Sequence, residues 1–523
     1  MGAAKPVKPN GMCAYKKGGS FIDREVDDKS MKMGGTACDD VPGINYQGRL
    51  FLSPGFPQIT RRRIERMDKQ TETQPKLSRS LKSRHITMIA IGGAIGTGLF
   101  LGSGSAIRAA GPAIILTYLI VGIFCFFMMR ALGELLLADP SKHSFIDSVK
   151  EYLGDRMEFI AGWTYWSCWL SLAMADLTAT GIYLKYWFPN LPQWVGPLVI
   201  VALLMLVNMV NVGLFGELES WFSTIKVVAI IALIVVGLAM VLFHTKTHTG
   251  YASFANLVNH GGLFPTGAYG FLMSFQMVVF AFVGIEMVGL TAGETRDPNT
   301  DIPKAINTLP IRIGLFYIGS MIAIMAVYPW NKITTTSSPF VQVFTGIGVT
   351  SAAAILNFVV LTAAMSATNS AIFSTSRSLY ALATGGNAPE KFADLSNKAV
   401  PNKALTFSSL ILFVVVILNY VMPAGIFNII SGVSTINFVF VWLIILWCHI
   451  AYRKQHPEGI AGFSMPGYPI TSWVTIIFFI FVLIVLFIVP ATRVSLIISM
   501  VFFACLFVGY YFLVGGKKVT EKN

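Results

Sequence analysis

Ile89-Ala-Ile-Gly92-Gly93-Ala94-Ile95-Gly96-Thr97-Gly98-Leu99-Phe100-Leu101-Gly102-Ser103-Gly104 is an apolar stretch interrupted by six glycines. It lies inside the first long apolar run, directly after the basic Lys82-Ser83-Arg84-His85. A helix interior loses about 1 kcal/mol for each Gly relative to Ala. In hydrocarbon an unsatisfied backbone group costs several kcal/mol more, so a broken membrane helix is tolerated only where the freed backbone is buried in protein or lines a cavity. There the exposed N–H groups and half-helix dipoles hold a charged solute. Gly96-Thr97-Gly98, a hydroxyl between two glycines at mid-run, reads as such a break. Gly92, Gly93, Gly102 and Gly104 fit that reading or the close helix packing that small residues allow in membranes.

The composition sets the class. Of 523 residues, 54% are hydrophobic and only 12% charged, with a mean hydropathy of +0.65. Soluble domains carry about 25% charged residues, so the chain is a polytopic membrane protein. The net charge of +13 fits basic cytoplasmic loops better than a nucleic-acid partner, because no basic stretch with interleaved aromatics is present. Cys13, Cys38, Cys125, Cys168, Cys448 and Cys505 form no CxxC pair, which argues against a disulfide framework and a metal site. His244, His248 and His260 fall in one loop without a metal-ligand spacing. A phosphate loop and a hydrolase triad are both lacking, so we expect neither an enzyme nor a cofactor.

Residues 1–76 are polar, mixed in charge and aperiodic, and we expect disorder there. The myristoylation pattern fails at the sixth residue and no secretory signal core is present. Met67 opens a short polar lead into the basic segment. The preceding Arg61-Arg62-Arg63-Ile64-Glu65-Arg66 is what a purine-rich bacterial ribosome-binding sequence gives when read in frame. We therefore expect translation to start at Met67, with residues 1–66 an upstream extension without function.

Apolar runs of spanning length, about 20 residues, follow at 86–107, 112–138, 158–187, 194–212, 221–243, 268–292, 310–329, 343–376, 404–422, 425–451, 471–490 and 492–514. They predict an all-α fold of twelve transmembrane helices. Lys and Arg crowd the odd-numbered side, with Lys82, Arg84, Lys142, Lys150, Arg296, Lys304, Arg312, Lys403 and Arg453 among them. Positive-inside then places both termini in the cytoplasm. Helix 6 is the second broken candidate, with Gly284, Glu286 and Gly289 at mid-run. Two glycine-interrupted helices five apart are the pattern of an inverted-repeat transporter. A 5+5 inverted repeat (86–243 and 268–451), two extra helices (471–514) and a short tail (519–523) follow within a domain spanning 77–518.

Three strings carry a family likeness: Gly93 to Phe100, Ala292-Gly-Glu-Thr-Arg-Asp-Pro298, and Ser370-Ala-Ile-Phe-Ser-Thr-Ser-Arg-Ser-Leu-Tyr380. The chain resembles, from about Leu81 to Lys518, the amino acid permease branch of the amino acid–polyamine–organocation superfamily. Gly162-Trp-Thr-Tyr-Trp166, Met174-Ala-Asp176, Pro310-Ile-Arg312 and Ser338-Pro-Phe340 look most like bacterial D-serine/D-alanine/glycine permeases, and serine and alanine permeases are similar. The resemblance implies a leucine-transporter-like fold and import of a small neutral amino acid by proton symport across a bacterial plasma membrane, driven by the proton gradient alone.

It also implies which residues meet the substrate. The zwitterion's carboxylate and ammonium need partners once desolvated. Helix 1 would supply Ala94, Gly96, Thr97 and Gly98; helix 6 would supply Phe280, Ala281, Phe282 and Gly284, with Phe280 an aromatic gate. Glu286 would link site occupancy to the inner gate. In proton-coupled relatives a helix 5 lysine stands where sodium sits in sodium-coupled ones, which points to Lys226. By its position Lys226 could equally snorkel to the interface. Asp176 could pair with Lys226, face the substrate's ammonium or lie in a proton path. Arg130 and Glu134, four apart on one helix face, read as an ion pair. Asn357, Ser366 and Asn369 are polar residues of helix 8. An exchanger, a permease for another neutral or aromatic amino acid, and a non-transporting receptor are the competing readings. The sequence leaves the oligomeric state open.

Overall fold

The computed structural model describes residues 12–17, 20–25, 95–139, 144–210, 212–287, 289, 297–345, 348–396 and 400–511. The chain divides into two compact units, Met1–Pro75 and Lys76–Asn523. In the first, β1 (Met12–Lys17) and β2 (Ser20–Glu25) form an antiparallel hairpin, registered from Met12↔Glu25 to Lys17↔Ser20. Composition led us to expect no regular structure there.

The second unit is helical. A π-helical turn, Gly98–Gly102, leads into α1 (Ser103–Ala110). Gly111, at a φ of +61°, ends α1, and Pro112 opens the turn into α2 (Ile114–Ala138). α3 (Phe145–Leu153) and α4 (Asp155–Leu184) follow. Next come α5 (Val195–Val210), α6 (Val212–Leu242) and a small outer hairpin, β3 (Lys246–Thr247) and β4 (Gly250–Tyr251). α7 (Gly267–Phe282) precedes α8 (Pro298–Asn307) and α9 (Leu309–Arg312). A second π-helical stretch, Ile313–Gly319, leads into α10 (Ser320–Val327). α11 (Pro339–Thr345), α12 (Thr350–Thr384), α13 (Asn402–Leu412), α14 (Val414–Val421), α15 (Ile426–Gln455), α16 (Ile470–Ile488) and α17 (Arg493–Tyr510) complete the unit.

Among the described residues eight helical stretches are long and apolar enough to cross a membrane, and two shorter apolar helices, Val195–Met209 and Gly267–Phe282, accompany them. Each expected run contains helix, with shifted bounds. The run expected at 343–376 is two elements: α11 ends at Thr345, and α12 continues to Thr384. α3 was not expected. It starts from a capping box in which Ser144 Oγ accepts from Ile146 N and Asp147 Oδ2 accepts from Ser144 N, the Ser-x-x-acid pattern of a helix start.

α4 packs along both α12 and α15, α1 packs on α7, and α6 lies against α12 and α10. Most of α15 is buried, whereas α17 turns mostly outward, with Ile497, Met500 and Val501 exposed. Apolar side chains exposed in this way, Val235 and Ile477 among them, are stable in hydrocarbon but not in water.

Candidate substrate site and buried charges

The described start of the first helix, at Thr97, lies beside the end of α7. On the helix 1 side, the described chain turns helical at Thr97, and the Gly96 carbonyl accepts from both Leu99 N and Phe100 N at 3.2 Å. The first N–H groups of a helix have no carbonyl one turn back. They carry the positive end of its dipole, so a partial positive charge sits at Thr97–Gly98. Ala94 and the first half of that run lie outside the described residues. Thr97 Oγ1 donates to Asp176 Oδ1 of α4 at 2.6 Å, and both side chains are buried. Asp176 Oδ2 is buried without a hydrogen-bond partner among the described residues.

On the other side, α7 stops at Phe282. Val283 is extended (ψ 137°) and Gly284 takes a φ of +94°, a region that a side chain makes costly. The backbone of α7 presses on Gly98: a β-carbon there would stand 2.6 Å from Ala281 Cα and 3.1 Å from Phe280 Cδ1. A β-carbon at Gly96 would meet only Ala367 Cβ and Asp176 Oδ1, both at 3.9 Å. Gly98 is therefore a contact between two backbones, whereas Gly96 has room for a methyl at ordinary contact distance.

The three helix 6 residues face different ways. Phe280 is buried beside Gly98 and meets Phe427 of α15 edge-on, with ring centroids 6.0 Å apart. Phe282 stacks on Tyr317, with centroids 4.8 Å and planes 7° apart. The Tyr317 hydroxyl donates to the Ala281 carbonyl at 3.0 Å, so that carbonyl already has a partner. Glu286 is fully buried; its Oε2 accepts from Trp442 Nε1 at 3.2 Å, and its Oε1 has no hydrogen-bond partner among the described residues.

Lys226 does not snorkel. It is 1% exposed, with Nζ 3.8 Å from Glu219 Oε1, itself 1% exposed. Glu219 Oε2 accepts from Ser366 Oγ of α12 at 2.7 Å, and Oε1 from Ser223 Oγ at 3.3 Å. Beside them, Asn208 Nδ2 donates to Asn369 Oδ1 at 2.7 Å. Asn357 instead holds the Tyr183 carbonyl at 2.9 Å, a packing contact between α12 and α4. Glu219 escaped the sequence reading because the fifth run was opened at residue 221. The signal was an acid seven residues before Lys226, two turns along one helix face.

Arg130 and Glu134 are not an ion pair with one another. Arg130 donates to Asn307 Oδ1 (2.8 Å) and the Ser464 carbonyl (2.5 Å) and lies over the Phe463 ring. Glu134 accepts from Arg453 Nη1 (2.7 Å) and Met465 N (2.9 Å) and bonds His449 Nε2 (2.9 Å). Helical spacing permits the Arg130–Glu134 pair, but the segment between α15 and α16 offers both residues better partners.

The described residues thus set the start of one helix against the end of another, with a buried carboxylate bonded to the first and a buried ammonium on α6. The profile of the amino acid permease family matches residues 85–523, and the chain belongs to that family. It is therefore a multi-pass membrane transporter of amino acids. The chain is 55% identical over 446 residues to the uncharacterized transporter YdgF of Bacillus subtilis, covering 85% of this chain and 97% of that one. It is 54% identical over 439 residues to the amino-acid permease AapA of the same organism, covering 84% and 95%. To the D-serine/D-alanine/glycine transporter of Escherichia coli O6:H1 it is 49% identical over 459 residues, covering 87% and 97%.

Proposed function

We propose that the chain imports a small neutral amino acid, of the D-serine, D-alanine, glycine, L-serine or L-alanine class, by proton symport and alternating access. The observation that carries this reading is the meeting of the helix start at Thr97–Gly98 with the end of α7 at Phe280–Gly284, with Asp176 at the junction. The positive helix start suits the substrate's carboxylate. Asp176 Oδ2, buried without a hydrogen-bond partner among the described residues, is the acceptor we assign to the substrate's ammonium. Phe280 closes the site as its gate, and Glu286 passes occupancy toward the cytoplasmic side. The similarity to the D-serine/D-alanine/glycine transporter supports a small substrate.

The topology belongs to the same proposal: twelve crossings, two inverted five-helix repeats, both termini in the cytoplasm. Packing of α1 on α7 and of α4 on α12 supports it, since each pair would be repeat-equivalent. The test is uptake of labelled amino acids into proteoliposomes under an imposed pH gradient, against a panel of L- and D-amino acids. Accumulation that collapses with the gradient is expected. Uptake only in exchange for internal amino acid marks an exchanger, binding without flux marks a receptor, and either result overturns symport.

A further inference from the structure

We propose that Glu219 is the proton acceptor that works with Lys226, and that its protonation frees α6 from α12. The inference rests on the symport reading and assigns the proton's site within it. Glu219 and Lys226 are both 1% exposed. A buried ion pair is a weak stabiliser, because desolvation offsets its attraction, and ionisable groups at membrane depth mark ion and proton pathways. The geometry is that of a switch rather than a clamp. At 3.8 Å the ammonium and Oε1 are in loose contact, while Oε2 takes the short 2.7 Å bond from Ser366 on the neighbouring helix. One carboxylate thus holds the charge on its own helix and the hydrogen bond that ties α6 to α12.

A proton arriving at Glu219 forms an O–H bond on one carboxylate oxygen and leaves a neutral acid. The pair then carries one net positive charge, which resides on Lys226, and the bond from Ser366 loses its charge assistance, which makes it weaker. Releasing the proton on the other side restores both. Among the described residues the charged neighbours are few. Lys226 lies on the same helix, and Asp176 on α4 acts on Lys226 through its charge. α12 presents Ser366, and its one charged residue, Arg377, lies about three turns further on. α10 carries no titratable group, and in the preceding π-helical stretch Tyr317 is bonded to the Ala281 carbonyl. Asp176 reaches the substrate site through Thr97, so substrate and proton act on opposite ends of one chain of groups.

Full-length protein in proteoliposomes tests this, with labelled glycine, serine and alanine as probes. Glu219→Gln keeps an acceptor for Ser366 and removes the titratable oxygen. It is expected to lose accumulation under an inside-alkaline gradient while retaining exchange of labelled for unlabelled substrate without a gradient. Ser366→Ala leaves the ion pair in place and guards against misfolding of the first variant. It is expected to displace the pH profile of uptake from that of the wild type, since the carboxylate loses a hydrogen bond that favours its charged form. Accumulation by Glu219→Gln with the wild-type pH dependence, or an unmoved profile for Ser366→Ala, overturns the proposal and leaves symport standing. A wild-type protein that does not accumulate substrate under the gradient overturns symport and the proposal together.

Discussion

Thr97 donates a 2.6 Å hydrogen bond to Asp176 across 79 residues of sequence, joining the start of the helix 1 half to the middle of α4. Thr97→Val keeps the shape and removes the donor. A buried carboxylate oxygen then loses its partner, a cost of about 1–3 kcal/mol. We expect at least tenfold weaker substrate binding by isothermal titration, with Thr97→Ser close to wild type. Wild-type affinity in Thr97→Val would remove Thr97 from the site.

Gly96 and Gly98, two residues apart, are expected to answer differently to the same change. A methyl at Gly98 collides with the Ala281 backbone at 2.6 Å, whereas at Gly96 it finds ordinary contact at 3.9 Å. Gly98→Ala should abolish uptake and lower the melting temperature in detergent; Gly96→Ala should fold normally. A larger substitution at Gly98 would not separate substrate contact from helix packing, since the clash precedes any substrate. Equal behaviour of the two variants would contradict the packing described.

Tyr317→Phe keeps the stack on Phe282 and removes the bond to the Ala281 carbonyl. Stability should fall by about 1 kcal/mol, read as a small shift in melting temperature. The released carbonyl adds an acceptor at the end of α7, so KM for substrate should change while Phe282→Leu, which leaves the bond in place, should alter stability more than KM. An unchanged KM in Tyr317→Phe would place that carbonyl away from the substrate.

Glu134 holds Arg453, His449 and Met465 N at once. Glu134→Ala leaves the Arg453 guanidinium without its counter-charge, and removing one partner of a buried pair costs about 3–5 kcal/mol. Gly459, at a φ of +63°, leaves room for that pair: a β-carbon there would overlap Arg453 Nη1 and Glu134 Oε1. Gly459→Ala is therefore also expected to destabilise, by thermal denaturation in detergent. A Glu134→Ala variant as stable as wild type would show the cluster to be dispensable.

The broken helix 6 was legible because a glycine pair and an acid stand in an otherwise continuous apolar run, and Gly284 does adopt the left-handed conformation. Thr97 and Asp176 could be named as candidates, but not as partners, since sequence spacing carries no information across 79 residues. α3 lies in a stretch too polar for a search by membrane-spanning length, although Ser144 and Asp147 wrote its start. Glu219 lies two residues outside the apolar run that starts at residue 221, and local spacing pairs Arg130 with Glu134 although each bonds a segment more than 300 residues on. Within helices the sequence was readable; the polar cross-links between them were not.

Arg130 and Glu134, one turn apart on α2, grip consecutive backbone groups of the chain between α15 and α16: the Ser464 carbonyl and the Met465 N–H. That connection is thereby fastened to α2 as well as to the helix it leaves. A spin label on the exposed Glu458, paired with one on α12, would act as a ruler for the tilt of α2 during turnover. The distances it returned would report the transport cycle from the surface, with no probe placed in the substrate's path.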